Sequence, residues 1–400
     1  MRSFSMLFVL FFLLFYGTLG LGAFQTIKRI CLQEHKNHLK HFFWSYSLIV
    51  ILTFVFLYIY PNHPRQATNY SFYLVFNVIL IIDFLTKFLL AATFLFYFPF
   101  RKRRKAKIVL VGGLIISFGI VIVLLYGSVI GKQQININRI ELKFPNLPEQ
   151  FDNYSILQFS DFHLGSFGKS KHLIENTKDK IKEINPDIIF FTGDLVNNFS
   201  DETAGWEKIF QEINASDNSY SILGNHDYGN YTNWKDEKSK TENFNAIVSA
   251  HRNLGFRLLR NEHIVIKSGT DSIFLAGVEN WGHPPFPQYA DLEKALQNIP
   301  EDAFTILLSH DPAHWESQIR GREKIELTLS GHTHGLQWGL KTAGIPFSFS
   351  YFTRKNWGGL YEFNNSYLYV NTGFGSVGIP WRIDMPAELT VFTLKRVEIH

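Results

Sequence analysis

Five short polar motifs in residues 160–335 combine aspartate, asparagine and histidine. They are Ser-Asp-Phe-His at 160–163, Gly-Asp at 193–194, Gly-Asn-His-Asp at 224–227, Ser-His-Asp-Pro at 309–312 and Gly-His-Thr-His-Gly at 331–335. The motifs offer oxygen and nitrogen ligands, a set that suits manganese, iron or zinc better than copper or an iron–sulfur cluster. Because the motifs occur together, we interpret them as a metal centre.

The first two motifs supply carboxylates. Asp161 and His163 fall on the same side of the chain if it is extended. The carboxylate of Asp194 has two oxygens and can bridge two metals. The alternative is that Asp194 caps the helix that follows.

The remaining motifs supply neutral ligands. Asn225 offers an amide carbonyl, and the adjacent His226 can reach a substrate instead of a metal. His332 and His334 form a compact pair of nitrogen ligands between glycines. His310, taken alone, is more typical of a packed or solvated residue than of a ligand.

Apolar runs of strand length precede the motifs, and helical patterns separate them. The runs before the five motifs cover 154–159, 187–192, 219–223, 304–308 and 326–329. Further strands are predicted at 264–267, 272–278, 367–370 and 389–394, and helices at 171–184, 206–213, 244–254 and 292–297. This alternation is typical of an α/β domain. Ligands of such sheets bind beyond the carboxyl ends of the strands, so we expect the motifs to converge there.

The order of these motifs resembles the calcineurin-like metallophosphoesterase superfamily, and its membrane-anchored bacterial-type branch is most similar. The resemblance covers residues 140–397, and G-N-H-D with G-H-T-H is its most specific part. The extended motif G-H-T-H-G-x-Q is similar to that of the membrane-anchored branch. It implies a sandwich of two mixed β-sheets flanked by helices. It also implies two divalent or trivalent metal ions (manganese, iron or zinc) that serve the hydrolysis of a phosphate ester.

The resemblance implies a role for each residue. One metal would be held by Asp161, His163, Asp194 and His334. The other would be held by Asp194, Asn225, His310 and His332, with Asp194 as the bridge. His226 would be the catalytic histidine near the scissile phosphate.

The second motif departs from the family pattern G-D-x-x-D, in which the last aspartate orients the catalytic histidine. Asn197 occupies that position and carries no charge, so it would favour a protonated His226 less than a carboxylate does. Asp227 is a substitute by proximity. His314, four residues after His310, is a candidate for supporting the metal site.

Residues 1–134 are interpreted as a membrane anchor. Apolar runs near 4–24, 42–60, 72–98 and 108–130 approach or exceed the ~20 residues that cross a bilayer as a helix. Asp83 and Lys87 lie four residues apart in the third run. They can neutralise each other along one helix face, or they can serve a function inside the membrane.

Basic residues predict the orientation of the helices. The first and third loops hold Lys28, Arg29, Lys36, Lys40 and the basic run 101–107, whereas the second holds only Arg65. Basic short loops remain cytoplasmic, which makes the domain after the fourth helix extracytoplasmic. The alternative is a cleaved signal peptide at 1–24, which would leave three helices and place that domain inside.

Residues 135–400 form the predicted metallophosphoesterase domain, and their charge differs from that of the anchor. Up to Ile135 the chain has 14 basic and two acidic residues, and thereafter 25 basic and 33 acidic residues. Nucleic-acid binders usually present a basic surface, so this acidic domain predicts no nucleic-acid partner.

These features together predict a membrane-anchored hydrolase of phosphomonoesters, phosphodiesters or pyrophosphates. Tethering to the bilayer favours an envelope or lipid-linked substrate. One alternative is a phosphate-sensing or partner-binding membrane protein with a weakly active domain. Another is a nucleotide phosphodiesterase that is merely anchored.

Overall fold

The computed structural model divides the chain into two compact units. The described residues are 6–30, 36–59, 67–103, 105–168, 170–214, 218–282, 287–322, 324–340 and 347–397. The first unit comprises Met1–Val129 and Gly378–Pro380, and the second comprises Ile130–Val377 and Trp381–His400.

Long apolar helices make up the first unit. They are α1 (Met6–Ile30), α2 (Lys36–Phe54), α3 (Ala67–Tyr97) and α4 (Ala106–Val129). Four helices in the described part of the chain are long and apolar enough to cross a membrane, which confirms the sequence prediction. The predicted helix ends at Phe4 and Tyr60, and the loop residue Arg65, lie outside the described residues.

The two charged residues of the third membrane helix form a buried pair. Lys87 Nζ lies 2.8 Å from an Asp83 carboxylate oxygen, and both side chains are almost fully buried. The hydroxyl of Tyr16 on α1 donates a 2.5 Å hydrogen bond to the same carboxylate. This geometry is that of a mutually neutralised pair, which is how charges persist in an apolar environment.

Two six-stranded sheets form the second unit. Their strands are β1 (Ile135–Phe144), β2 (Ser155–Phe159), β3 (Ile188–Phe191), β4 (Ser219–Ser221), β5 (Arg257–Leu258), β6 (Glu262–Ser268), β7 (Asp271–Gly277), β8 (Thr305–Leu308), β9 (Leu327–Ser330), β10 (Gly359–Phe363), β11 (Ser366–Val370) and β12 (Ala387–Arg396). The helices are α5 (His172–Ile184), α6 (Glu207–Ile213), α7 (Glu237–Asn253) and α8 (Leu292–Ala295).

Both sheets are mixed. The first has the order β1-β12-β2-β3-β4-β5, with β2 to β5 parallel and β12 antiparallel to β2. The second has the order β10-β11-β9-β8-β7-β6, with a parallel centre and antiparallel pairs at both edges. This confirms the mixed sandwich that the family resemblance implied.

The apolar runs of the central strands are continuous because these strands are covered on both faces. All four residues of β3 are buried, as are all four of β8 and of β9. One cluster of buried side chains, including Phe190 and Leu308, joins strands of both sheets. A second cluster packs α5, α6 and α7 against the outer face of the first sheet.

The sequence reading missed three strands and the start of one helix. The strand β1 has the sequence ININRIELKF, in which apolar and polar residues alternate over most of the length. This alternation is typical of a strand and could have predicted it. The strand β5 has only two residues, too few for any pattern. The strand β10 was also missed. The helix α7 begins at Glu237 instead of residue 244, because the Asp236 side chain accepts a 2.7 Å hydrogen bond from the Ser239 N–H.

Candidate functional site

All five motifs lie at, or a few residues beyond, the carboxyl ends of strands. They follow β2, β3 and β4 in the first sheet and β8 and β9 in the second. The side chains converge as the sequence predicted. The seven predicted ligands that come together are Asp161, His163, Asp194, Asn225, His310, His332 and His334.

The first group of ligands surrounds one point. His163 Nε2 lies 3.0 Å from His334 Nε2, and His334 Nε2 lies 3.3 Å from Asp161 Oδ1. Asp194 Oδ2 lies 3.5 Å from His163 Nε2. These four side chains are the set predicted for one metal.

The second group shares Asp194. Its Oδ2 atom lies 3.2 Å from His310 Nε2, which in turn lies 3.1 Å from Asn225 Oδ1. The same amide oxygen lies 2.6 Å from His332 Nδ1. One carboxylate oxygen of Asp194 therefore faces both groups, which is the position of a bridging ligand.

The spacing and chemistry of the donor atoms in each group are those expected of metal ligands. Metal–ligand distances of about 2.0–2.3 Å place ligand atoms of one ion about 3–3.5 Å apart. The spacings of both groups lie in this range, except the shorter 2.6 Å between Asn225 Oδ1 and His332 Nδ1. Carboxylate, amide and imidazole donors are the chemistry that manganese, iron and zinc accept. The residues present therefore fit the metals that the family resemblance implies.

Burial also prepares the histidines for metal binding. It lowers the pKa of His163 well below its ordinary value and lowers the pKa of His332 to about 4. Both rings are therefore neutral at neutral pH, which is the form that binds a metal. For His310, burial opposes the charged form, but the Asp194 carboxylate outweighs it and raises the pKa to about 10. An ion would displace that proton.

The backbone at the ligands is strained. Five of the seven predicted ligands have a positive φ, between 44° and 74°. They are Asp161, His163, Asp194, His332 and His334. This region is unfavourable for residues other than glycine, and it persists where the surrounding structure imposes it, as at functional sites.

Two glycines allow the motifs to approach each other. A Cβ atom at Gly224 would overlap the Asp194 carboxylate. A Cβ atom at Gly331 would overlap the side chains of Ser160 and Asp161. The glycines of G-N-H-D and G-H-T-H are therefore required because another motif occupies the space of their side chains.

His226 lies at the edge of the ligand cluster. Its ring Nδ1 is 2.8 Å from the backbone carbonyl of Asn197, and its backbone N–H donates to Asp194 Oδ1 at 2.8 Å. The ring stacks on Tyr231, with centroids 4.3 Å apart, and lies edge-on to His163 at 4.8 Å. With Nδ1 donating to the carbonyl, Nε2 is the nitrogen that can serve a substrate.

The structure changes the expectation for Asn197 and Asp227. Asn197 positions His226 through its backbone carbonyl, while its side-chain amide donates to His163 O and to Glu202. The Asp227 carboxylate accepts four backbone N–H groups, from Gly224 and from residues 194–196. Asp227 therefore ties two ligand loops together, and the structure does not place it as the substitute partner of His226.

His314 contacts the residue that precedes a predicted ligand. Its Nδ1 is 2.9 Å from Ser309 Oγ, and Ser309 precedes His310. Its ring stacks on Trp281 with centroids 4.6 Å apart. Burial lowers the pKa of His314 to about 4, so the ring is neutral at neutral pH. A supporting role for His314 stays a prediction.

Glu202 holds the loop that positions His226, and the sequence reading missed it. Its buried carboxylate accepts backbone N–H groups from Gly165 and from residues 197–199. It also accepts a 2.9 Å hydrogen bond from the Asn197 side chain. Acidic residues in short helical turns are common, so only the fold could single out this one.

We expect Glu202→Gln to destabilise the protein and to slow hydrolysis. A glutamine presents an NH₂ group to a ring of N–H donors, so buried donors lose their acceptor at a cost of about 1–3 kcal/mol. Thermal unfolding of the purified variant measures the first effect. The exposed Glu301→Gln is the matched control. An unchanged unfolding midpoint would show that Glu202 does not hold this loop.

Arg382 is a second residue that the sequence reading missed. It is 1% exposed and donates hydrogen bonds to the backbone carbonyls of Thr372, Gly375 and Met385. Its guanidinium also lies 3.4 Å from His334 Nδ1. Arg382 thereby fixes the loop after β11 beside a predicted metal ligand.

A pocket of about 120 Å³ opens beside the second group of ligands. Its lining residues are Asn225, Tyr231, Asn280, Gly282, Asp311, His332 and Arg354. The Arg354 guanidinium lies 3.7 Å from the Asp311 carboxylate. Because it reaches a pocket next to a predicted metal, Arg354 can bind an anionic oxygen of a substrate.

Comparisons with known proteins identify the family of this chain. The family model of the calcineurin-like phosphoesterases matches residues 154–336. The uncharacterized metallophosphoesterase YkuE of Bacillus subtilis is 30% identical over 280 residues, which cover 68% of this chain and 89% of that protein. The chain therefore belongs to the calcineurin-like phosphoesterase family.

Other relatives include proteins whose names combine this domain with a transmembrane region. A transmembrane protein with metallophosphoesterase domain from Danio rerio is 29% identical over 68% of this chain and 60% of that protein. An uncharacterized metallophosphoesterase of Campylobacter jejuni is 28% identical over 65% of this chain and 63% of that protein. With the four apolar helices, the relatives named as transmembrane proteins indicate a membrane protein.

Proposed function

We propose that the chain is a membrane-anchored hydrolase of phosphate esters with a two-metal centre. The observation that carries this proposal is the shared position of Asp194, whose Oδ2 lies 3.5 Å from His163 Nε2 and 3.2 Å from His310 Nε2. One metal would be held by Asp161, His163, Asp194 and His334. The other would be held by Asp194, Asn225, His310 and His332.

The bound metals and the residues around them would have different roles in hydrolysis. Bound cations would supply Lewis acidity to the phosphate oxygens and would activate water. His226, oriented by the Asn197 carbonyl, would hold a proton at Nε2 and donate it toward the leaving oxygen. Arg354 would orient an anionic oxygen of the ester.

The same proposal assigns the two parts of the chain. Residues 1–134 would anchor the protein, and residues 135–400 would form the catalytic domain on the extracytoplasmic side. The basic residues of the first and third loops support this orientation. An envelope or lipid-linked phosphate ester would be the substrate, because anchoring keeps the site close to such molecules.

Metal removal tests the hydrolase proposal. We expect the full-length protein in detergent, loaded with Mn²⁺, to hydrolyse an aryl phosphate monoester or diester. Chelation should abolish turnover, and Mn²⁺ or Zn²⁺ should restore it. Comparing the two esters gives the preference between them. Metal-loaded protein that turns over neither ester would contradict the proposal and favour a phosphate sensor.

A reporter fusion tests the orientation. We expect a reporter that is active only outside the cytoplasm to be active when it is fused after His400. Replacing the basic residues of 101–107 with neutral ones should weaken this preference, because positive charge retains the loop inside. Activity of a cytoplasm-only reporter at the same position would reverse the proposed topology.

A further inference from the structure

A groove of about 600 Å³ lies beside the pocket at the predicted metal centre. The groove has apolar and polar lining residues, which are Pro312, Ala313, Leu336, Glu316, Ser317, Thr353, Arg354, Lys355 and Asn356. Arg354 lines the 120 Å³ pocket as well, so the two spaces share a wall. A substrate whose phosphate is at the metals can therefore extend into the groove past Arg354.

Leu336 lines this groove with an unfavourable backbone conformation and a half-exposed apolar side chain. It is a non-glycine residue with φ of 48°, and it is 50% exposed. A left-handed backbone is unfavourable for leucine, and half-exposure forfeits much of the gain from burying its side chain. Strain of this kind beside an active site indicates a function. The function that fits an apolar side chain is contact with an apolar ligand.

Further exposed apolar residues adjoin Leu336. The described part of the second unit has nine large exposed apolar side chains, and five of them lie within residues 336–352. These five, which we call the apolar patch, are Leu336, Leu340, Phe349, Tyr351 and Phe352.

Contacts hold the patch together. The Leu340 N–H donates a 3.0 Å hydrogen bond to Phe347 O, so the backbones of these two residues lie side by side. The Phe347 ring contacts Phe349 at 5.6 Å and Phe352 at 5.9 Å between centroids. The Phe352 side chain is nevertheless 72% exposed. The patch is therefore an apolar surface that internal contacts hold together and that is exposed to solvent.

We propose that the groove and the apolar patch bind the apolar tail of the substrate. The substrate would be an amphiphilic phosphate ester with an acyl or prenyl chain. Its phosphate would lie at the metal centre, the Arg354 guanidinium would meet the head group, and the chain would run past Leu336 onto the patch. The sharing of Arg354 between pocket and groove favours part of the substrate over a separate partner. This inference rests on the proposed hydrolase function for the position of the phosphate.

Two phosphonates that differ only in chain length test the proposal. The probes are methylphosphonate and octylphosphonate, and calorimetry gives their affinities for the full-length, Mn²⁺-loaded protein in detergent. Each methylene that becomes buried strengthens binding by about fourfold. We expect octylphosphonate to bind at least about tenfold more tightly, after subtraction of a titration into detergent alone.

Substitutions in the patch provide the specific control. The double variant Leu336→Asn, Phe352→Ser should reduce the ratio of the two affinities to less than about threefold. Leu336→Asn should fold at least as well as the parent, because asparagine tolerates positive φ. Leu360→Ser removes an apolar residue of similar exposure on β10, outside the patch, and should keep the full ratio.

The outcomes separate this inference from the hydrolase proposal. A ratio near one in the parent protein, or the same ratio in the double variant as in Leu360→Ser, would overturn the inference and point to a protein partner for the patch. The hydrolase proposal is judged separately, by turnover of the aryl esters, and binding of the phosphonates is measured without turnover.

Discussion

Asp194→Asn should reduce the hydrolysis of an aryl phosphate more than 100-fold and should lower the metal content of the protein. Asp194 Oδ2 faces His163 Nε2 and His310 Nε2, so it is the only described side chain placed to serve both predicted metals. An asparagine offers one oxygen and an NH₂ group that repels a cation. The loss should exceed the 10–100-fold typical of residues that merely support a metal ligand.

We expect this substitution to leave the fold largely intact, which makes the result interpretable. Asp194 Oδ1 accepts the backbone N–H of His226 at 2.8 Å, and an asparagine oxygen can accept the same bond. Elemental analysis of metal per chain and kcat/KM are measured on the same preparation. The exposed Asp302→Asn is the matched control. Normal turnover and metal content in Asp194→Asn would remove Asp194 from the centre.

The convergence of the ligands could be predicted because it follows from a local rule. Each ligand motif comes directly after an apolar run, and parallel strands bring their carboxyl ends to one edge. Asp161 and His310 are 149 residues apart in sequence yet belong to one buried cluster. Strand pairing was less predictable. The strand β12 lies between β1 and β2, and neither periodicity nor length indicates that order.

The supporting residues were harder to predict because they act on backbone atoms. A sequence shows that Asn197 replaces an acid, but it does not show that the carbonyl of Asn197, common to every residue type, is the group that meets His226. Glu202 and Arg382 present the same difficulty. Both are buried charges whose partners are mainly backbone groups, which every residue type has, so the residue types around them do not reveal them.

His226→Ala should reduce kcat about 10²–10⁴-fold, the usual contribution of a general acid or base. The Asn197 carbonyl and the Tyr231 ring hold the imidazole at the edge of the ligand cluster. Metal content should stay unchanged, because His226 is proposed to serve the leaving oxygen. Added imidazole should restore part of the activity by occupying the space left over Tyr231. The exposed His172→Ala should behave as the parent protein does.

Metal analysis decides between two roles for His226. Its ring could also join His163 and Asp194 as a ligand, since donor atoms of the three lie within 4.8 Å of one another. If His226 were a ligand, His226→Ala would lose metal, and excess Mn²⁺ rather than imidazole would restore turnover. Two features of the structure favour the catalytic role. Nδ1 is committed to a carbonyl, and the first group already has Asp161, His163, Asp194 and His334 for its metal. A drop in kcat with full metal content is therefore the result we expect.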